Sequence, residues 1–266
     1  MTSRASPAEA VLEILYRDDL VVAVHKPPGL MVHRSDLDRR ETRFAVQLLR
    51  AQLGRDVFPA HRLDRGTSGV LLFAFDSRTA ARLGLAFESR AVEKRYLAVV
   101  RGWPEAAGTI DHALRRLEDG KDVGGANAPR QVARTDYRRL ACAEVPIRSQ
   151  HHDTTRVALV EALPHTGRQH QVRRHLKHIS HPVMGDATYG KGPLNRAFAG
   201  LFGTGRLLLA CVELGLAHPA DGRPLRLRAP LEPGFAGICA KLGWAPECGA
   251  DLVRPRAGRD LAGAKL

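Results

Sequence analysis

His61-Arg62-Leu63-Asp64-Arg65-Gly66-Thr67-Ser68-Gly69, followed at once by the apolar run Val70 to Phe75, is the stretch that organises this chain. The apolar run has the length and composition of a buried strand. The nine residues before it gather one acid, two arginines, two hydroxyls and two glycines into a turn at the mouth of that strand. Loops held by a rigid sheet are common seats of catalytic groups. Two readings of Asp64 are open at this level. It is either the acceptor of a self-capped turn, together with Ser68, or a catalytic carboxylate held ionised by a neighbouring arginine. The loop offers no second acid, which disfavours a two-carboxylate glycosidase. Ser68 lacks the Gly-x-Ser-x-Gly setting of a nucleophile elbow.

Working outward, Val11–Tyr16 and Leu20–His25 read as two short strands around Arg17-Asp18-Asp19. Lys26-Pro27-Pro28-Gly29 ends the second of them. Phe44–Leu53 has helical spacing with Gly54 as its C-cap. Ser77 is read as the N-cap of a helix running to about Arg90. Glu93–Val100, Val132–Leu140, Thr155–Leu163 and Arg206–Leu216 read as strands, and Leu231–Leu242 as a helix. Glu118–Gln131, with three glycines and a proline, reads as a surface loop. Gly167–Ile179 reads as a basic helix with one face turned to a polyanion and Arg168 in its first turn. Strands adjoin strands more often than they alternate with helices. The expected class is α+β, with a mixed, mostly antiparallel central sheet flanked by helices and loops. The expected organisation is a flexible leader over 1–10, one catalytic domain over 11–245 and a flexible tail over 246–266.

The chain has 266 residues and is 44% hydrophobic, enough for one large domain or two small ones. Lys and Arg number 41 against 28 Asp and Glu, a formal charge of +13, with pI about 10.3 and arginine far in excess of lysine. That balance suits a phosphate backbone, and equally reflects a coding bias toward arginine. Cys142, Cys211, Cys239 and Cys248 have no zinc-like spacing, and a reducing cytoplasm fits them. No apolar stretch reaches the ~20 residues of a membrane span. His165, His170, His175, His178 and His181 lie close together but in no zincin pattern, among arginines that repel a cation, so no metal is expected. There is no dinucleotide or Walker loop.

His61-Arg62-Leu63-Asp64 with Thr67-Ser68-Gly69 resembles the catalytic loop of the RluA-type pseudouridine synthases. Lys94-Arg95-Tyr96 resembles that family's second motif, and Gly167-Arg168-Gln169-His170-Gln171-Val172-Arg173 its third. Lys26-Pro27-Pro28-Gly29 resembles its opening, structural motif. The resemblance spans roughly Leu12 to Trp244. It implies isomerisation of uridine to pseudouridine in RNA without a cofactor. The expected partner is RNA, with no membrane or obligate protein partner, and the expected location is the cytoplasm. The resemblance implies that Asp64 is catalytic, attacking the ribose or taking its 2′ proton. Arg173 pairs with Asp64, Tyr96 stacks on the target base and Val172 lines the uracil pocket. Arg62 would fill the gap left by a flipped base, and His61, Thr67, Lys94 and Arg168 join the substrate-binding set. Before Val11 there is no room for an S4-type RNA-binding domain, so the catalytic domain is expected to hold RNA by itself. Gly29–Ser35, Asp153–Arg156 and Arg174–His178 are similar to a bacterial tRNA-modifying branch acting on the T-stem uridine at position sixty-five. Branches acting on the anticodon loop or on ribosomal RNA, and an inactive RNA-binding module, are the alternatives.

Overall fold

The computed structural model describes residues 11–33, 43–118, 121–122, 129–148 and 152–249. In chain order the elements begin with β1 Glu13–Arg17, β2 Val21–Lys26, α1 Ala45–Leu53, β3 Phe58–Pro59, β4 Ser68–Ala74 and α2 Ser77–Glu88. Then come β5 Glu93–Arg101, β6 Ala107–Asp111, β7 Leu114–Arg115, β8 Leu117–Glu118, β9 Lys121–Asp122, β10 Arg130–Gln131, β11 Arg134–Val145 and β12 Thr155–Pro164. The chain continues with α3 Gln171–His178, α4 Gly192–Phe202, β13 Leu209–Ala217, β14 Pro224–Arg228, α5 Pro233–Lys241 and α6 Ala245–Cys248.

The architecture is α+β. A ten-stranded sheet runs in the order β1-β2-β4-β13-β5-β12-β11-β6, with β14 on β13 and β3 on β4. Every pairing in it is antiparallel except β4 with β13. Alternation along the central strands sorts the core by face. Leu97, Val99 and Leu159 face α4 and α5, meeting Phe198, Phe235 and Ile238. Ala98, Val100, Ala158 and Val160 face α3, meeting Val172 and Leu176. Both faces are covered, so β5 and β12 read as continuous apolar runs rather than alternating ones.

The parallel contact is short, pairing Ser68 with Ala210 and Gly69 with Cys211. Gly69 has φ +115°, and a Cβ there would overlap the Cys211 carbonyl oxygen and lie 2.7 Å from its carbon. Only glycine allows β4 to approach β13 this closely. Cys211 pairs in turn with Tyr96 on β5, and Tyr96 with Ala162 on β12. One row across the sheet thus joins the end of the Asp64 loop to the second motif.

Several expectations are corrected. Asp76, not Ser77, caps α2, accepting from the Thr79 amide at 2.8 Å and its hydroxyl at 2.7 Å. That helix ends at Glu88, and Arg90 turns to φ 65°. The 118–131 segment is not wholly loop, since its described parts carry β8, β9 and β10. β3, β6, β7, α4 and β14 were not anticipated. The third basic element is a helix only from Gln171, because His170 takes φ 56° and breaks the turn before it. Five of its eight residues are buried, so it is a core helix rather than a face turned to a polyanion. The boundary at 245 falls inside α6, whose Cys248 is buried. The 1–10 leader and the tail beyond 249 lie outside the described residues.

The β1–β2 turn is tied to the β13–β14 turn through Asp18. Its carboxylate accepts from Tyr16 Oη at 2.6 Å, the Leu20 and Val21 amides at 2.9 Å each and His218 Nε2 at 2.8 Å. Burial opposes the charge, but these bonds prevail and bring its pKa down to about 2. A depressed carboxylate stabilises the fold above its unfolded pKa of about 4, and that contribution is lost as pH falls toward 2. The stability gap between wild type and Asp18→Asn, from urea unfolding, is therefore expected to be constant above pH 5 and to shrink between about pH 4 and pH 2. Gly69→Ala should lower unfolding free energy by about 3 kcal/mol or more, combining steric overlap with a disfavoured φ; an unchanged Tm would refute the close-approach reading of the β4–β13 contact.

Candidate active site

Asp64, Tyr96, Arg173, Arg62, Val172, Arg168, Lys94, Thr67 and His61 all line one cavity of about 560 Å³. The strand register explains the convergence. The loop before β4 and the start of β5 meet in the Gly69–Cys211–Tyr96 row. The turn between β12 and α3 then closes over the same end of the sheet.

That turn is built by Gln171. Its Oε1 accepts from Thr166 Oγ1 at 2.6 Å and from the Arg168 amide at 3.0 Å. Its Nε2 donates to the Arg134 carbonyl and to Thr135 Oγ1, each at 3.0 Å. Arg168 therefore sits in the turn ahead of α3, not in its first helical turn, and its Nε donates to the Val132 carbonyl at 3.1 Å. Lys94 Nζ donates to the Thr166 carbonyl at 3.2 Å and ties β5 to the same turn.

Arg173 is the electrostatic centre. Its Nε and Nη2 donate to the two oxygens of Asp186 at 2.7 and 2.9 Å, and its Nη1 donates to Asp64 Oδ2 at 3.1 Å. The Asp186 carboxylate is fully buried, whereas that of Asp64 is 21% exposed to the cavity. Asp186 Oδ1 also accepts from the Thr188 and Tyr189 amides at 2.9 and 3.0 Å. Burial alone would raise the Asp186 carboxyl, but Arg173 and these amides hold it below the ordinary carboxylate value. The bidentate grip leaves the guanidinium little freedom, so its third donor is aimed at Asp64. The Arg173 cation also lies 5.0 Å from the ring centre of Tyr189.

The rest of the loop is held from beneath. Lys26 is fully buried and its Nζ donates to the carbonyls of Pro27, Leu30 and Arg65 at 2.9, 2.7 and 3.2 Å. Burial brings its pKa down to about 7, against the pull of Asp64. Arg206 Nη2 donates to Ser68 Oγ at 2.9 Å while its Nη1 pairs with Glu232 at 2.7 Å. The Ser68 hydroxyl is thus an anchor of the loop. His61 Nε2 accepts from the Leu72 amide at 3.2 Å, and its ring stacks on Phe87 at 4.8 Å. Burial, with Lys94 nearby, carries the His61 pKa to about 4, so the ring is neutral.

Burial, reinforced by the Cys211 thiol, raises the Tyr96 phenol well above its ordinary value, so it stays protonated. Val172 is buried beside it in the cluster that includes Leu209. The Thr67 hydroxyl is buried and has no hydrogen-bond partner among the described residues. Three other histidines are spent on structure. His175 meets Thr135 Oγ1 and the His112 carbonyl, His178 stacks on His112 at 3.7 Å, and His165 meets Asp136. Among the described residues no three His, Cys, Asp or Glu side chains are grouped to hold a metal ion.

Three members of the site were not singled out from the sequence: His170 as a neighbour of Asp64, with Nε2 3.9 Å from Oδ1, and Asp186 and Tyr189. The last two sit in Gly185-Asp186-Ala187-Thr188-Tyr189-Gly190, an acid in a glycine-punctuated turn. That is the same signature that marked Asp64.

The family model for RNA pseudouridylate synthases matches residues 20–178. A protein of Vibrio cholerae named tRNA pseudouridine synthase C is 45% identical over 236 residues, covering 88% of this chain and 97% of that one. A protein of Haemophilus influenzae with the same name is 43% identical over 88% of this chain and 99% of its own. The solved structure of human RNA pseudouridylate synthase domain containing 1 superposes with a TM-score of 0.65 at 27% identity, covering 87% of this chain and 89% of the other. The matched span contains the loop at Asp64, the start of β5 and all of α3, and with the likeness in fold it places this chain in the RNA pseudouridylate synthase family.

Proposed function

We propose that this protein isomerises uridine to pseudouridine in tRNA, with the T-stem uridine at position sixty-five as its target. The observation that carries the chemistry is the pairing of Asp64 with Arg173 at the mouth of a cavity large enough for one base. The tRNA reading draws support from relatives of that name at 43–45% identity. The finer target rests on the likeness of Gly29–Ser35, Asp153–Arg156 and Arg174–His178 to one branch of the family.

In this reading a uridine leaves its stack and enters the cavity, at a cost of a few kcal/mol when it starts in a stem. Tyr96 stacks on one face of the uracil and Val172 closes the other. Arg62, exposed at the rim, occupies the space the base has left. Arg168, Lys94 and Thr67 contact the nucleotide, with Thr67 supplying a buried hydroxyl that lacks a partner among the described residues. His61 acts as wall and ring stack. Asp64, oriented by Arg173, attacks the ribose at C1′ or removes its 2′ proton. The N1–C1′ bond breaks, the uracil turns and C5 bonds to C1′ as the Asp64–C1′ ester bond breaks or, on the other route, as Asp64 returns the proton to C2′. The proton on C5 is then removed and N1 takes one up, so the product has the composition of the substrate. The protonated Tyr96 phenol is placed to relay that proton. Nothing in this sequence of steps needs a cofactor.

Asp64→Asn is expected to lower kcat on an unmodified tRNA transcript by more than about a thousandfold, with RNA binding retained in a filter assay. Carbodiimide mapping of tRNA from cells lacking the gene should show loss of the T-stem signal, restored by wild type and not by this variant. Loss of a different signal would overturn the target, and loss of none would overturn the function. Asp186→Asn leaves Arg173 buried with half its compensation. It should lower stability by about 3 kcal/mol and kcat by about 100-fold, measured by urea unfolding and single-turnover kinetics.

A further inference from the structure

The Asp64 carboxylate has two oxygens, and a side chain faces each. Oδ2 accepts from Arg173 at 3.1 Å, and Oδ1 faces the His170 imidazole, with Nε2 at 3.9 Å. We propose that His170 is a positioning residue for the isomerisation: Tyr189 holds its neutral imidazole with the proton on Nε2, and with RNA bound His170 donates that proton to a hydrogen bond with Asp64 Oδ1, so that it and Arg173 together fix the plane of the reacting carboxylate. This rests on the reading of Asp64 given under Proposed function.

Four observations support it. A bare Nε2 would set a lone pair against the carboxylate oxygen, so the tautomer that suits the neighbour carries its proton there. His170 Nδ1 must then accept, and Tyr189 Oη stands 3.0 Å from it. Burial raises the Tyr189 phenol above its ordinary value, so it remains a donor. Burial, together with Arg173 and Arg174, lowers the His170 imidazole despite Asp64, so the ring is neutral.

The backbone supplies a further argument. His170 holds φ 56°, ψ 24°, a left-handed conformation that costs a residue other than glycine about 1–3 kcal/mol. It occupies the N-cap position of α3 but makes no side-chain cap bond. Helix capping therefore does not account for a histidine here, whereas the contacts with Tyr189 and Asp64 do. Contacts of this kind are often long before substrate binds and shorten in the complex, and closure of RNA over the cavity is the event that would bring Nε2 and Oδ1 within bonding distance.

The test has two arms. In the first, ¹⁵N imidazole spectra of the full chain labelled at histidine, with the His170 signals assigned by their loss in His170→Asn, should show Nε2 protonated and Nδ1 bare. Tyr189→Phe should mix the tautomers. A His170 ring protonated on Nδ1 would overturn the inference. This arm involves no turnover, so it tests the tautomer and its control by Tyr189 separately from the pseudouridine reading. In the second, His170→Gly, which keeps the left-handed backbone without strain, and Tyr189→Phe should each lower kcat about 10- to 100-fold with KM changed less than about twofold. His170→Asn, which also tolerates that backbone and keeps one N–H donor, should fall between Gly and wild type. Wild-type kcat in the glycine variant, a rise in KM alone, or an asparagine variant no better than glycine would each refute it.

Discussion

A single guanidinium shared between two carboxylates organises the catalytic end of this molecule. Asp186, buried and fixed by two backbone amides, takes two donors of Arg173 and immobilises it; Asp64 receives the third. The triad carries one net negative charge. Arg173 is already compensated by Asp186, so its bond to Asp64 orients the carboxylate without neutralising it outright. An arginine paired to Asp64 alone would oppose the loss of electron density that attack on a ribose demands. Arg173 can sit with little exposure because its charge is met on both sides.

The sheet supplies the complementary constraint. A short parallel contact inside an otherwise antiparallel sheet brings the end of the Asp64 loop against β13, one strand away from Tyr96. Antiparallel neighbours are joined by turns, so they place successive motifs at alternate ends of a sheet. The β4–β13 pairing breaks that alternation and puts the loop, the start of β5 and the turn after β12 on one edge. The absence of a side chain at Gly69 is what permits the approach.

Much of this was legible beforehand, for physical reasons that differ from place to place. Val70–Phe75 and the central strands announce themselves because burial on both faces demands unbroken apolar runs. The Asp64 loop stands out because an acid, hydroxyls and glycines crowd into one turn. Helix boundaries were misjudged for local reasons. At Asp76 a better acceptor than Ser77 stands one residue earlier. At His170 an unfavoured backbone angle delays α3 by four residues. α3 looked too polar to be buried because Gln171, Arg173 and His175 satisfy their polarity internally, through Thr135, Thr166, Asp64 and Asp186. Composition counts polar residues but not the partners that await them across the fold. Asp186 and Tyr189 carry a readable signature of the same kind, an acid in a glycine-punctuated turn.

The Asp64–Arg173 contact spans 109 residues of chain, and Gly69 and Cys211 are further apart still. During synthesis from the N-terminus the Asp64 loop leaves the ribosome long before the arginine that aims it and the strand that seats it. A nascent chain ending before β13 lacks the surface on which Gly69 rests, however well β1, β2 and β4 have formed. The Asp64–Arg173 pair is therefore assembled late, and only in a chain that has closed its sheet. Contacts of such sequence separation also slow folding, so a protein built this way gives up speed of maturation and in return has no competent site on a half-made chain.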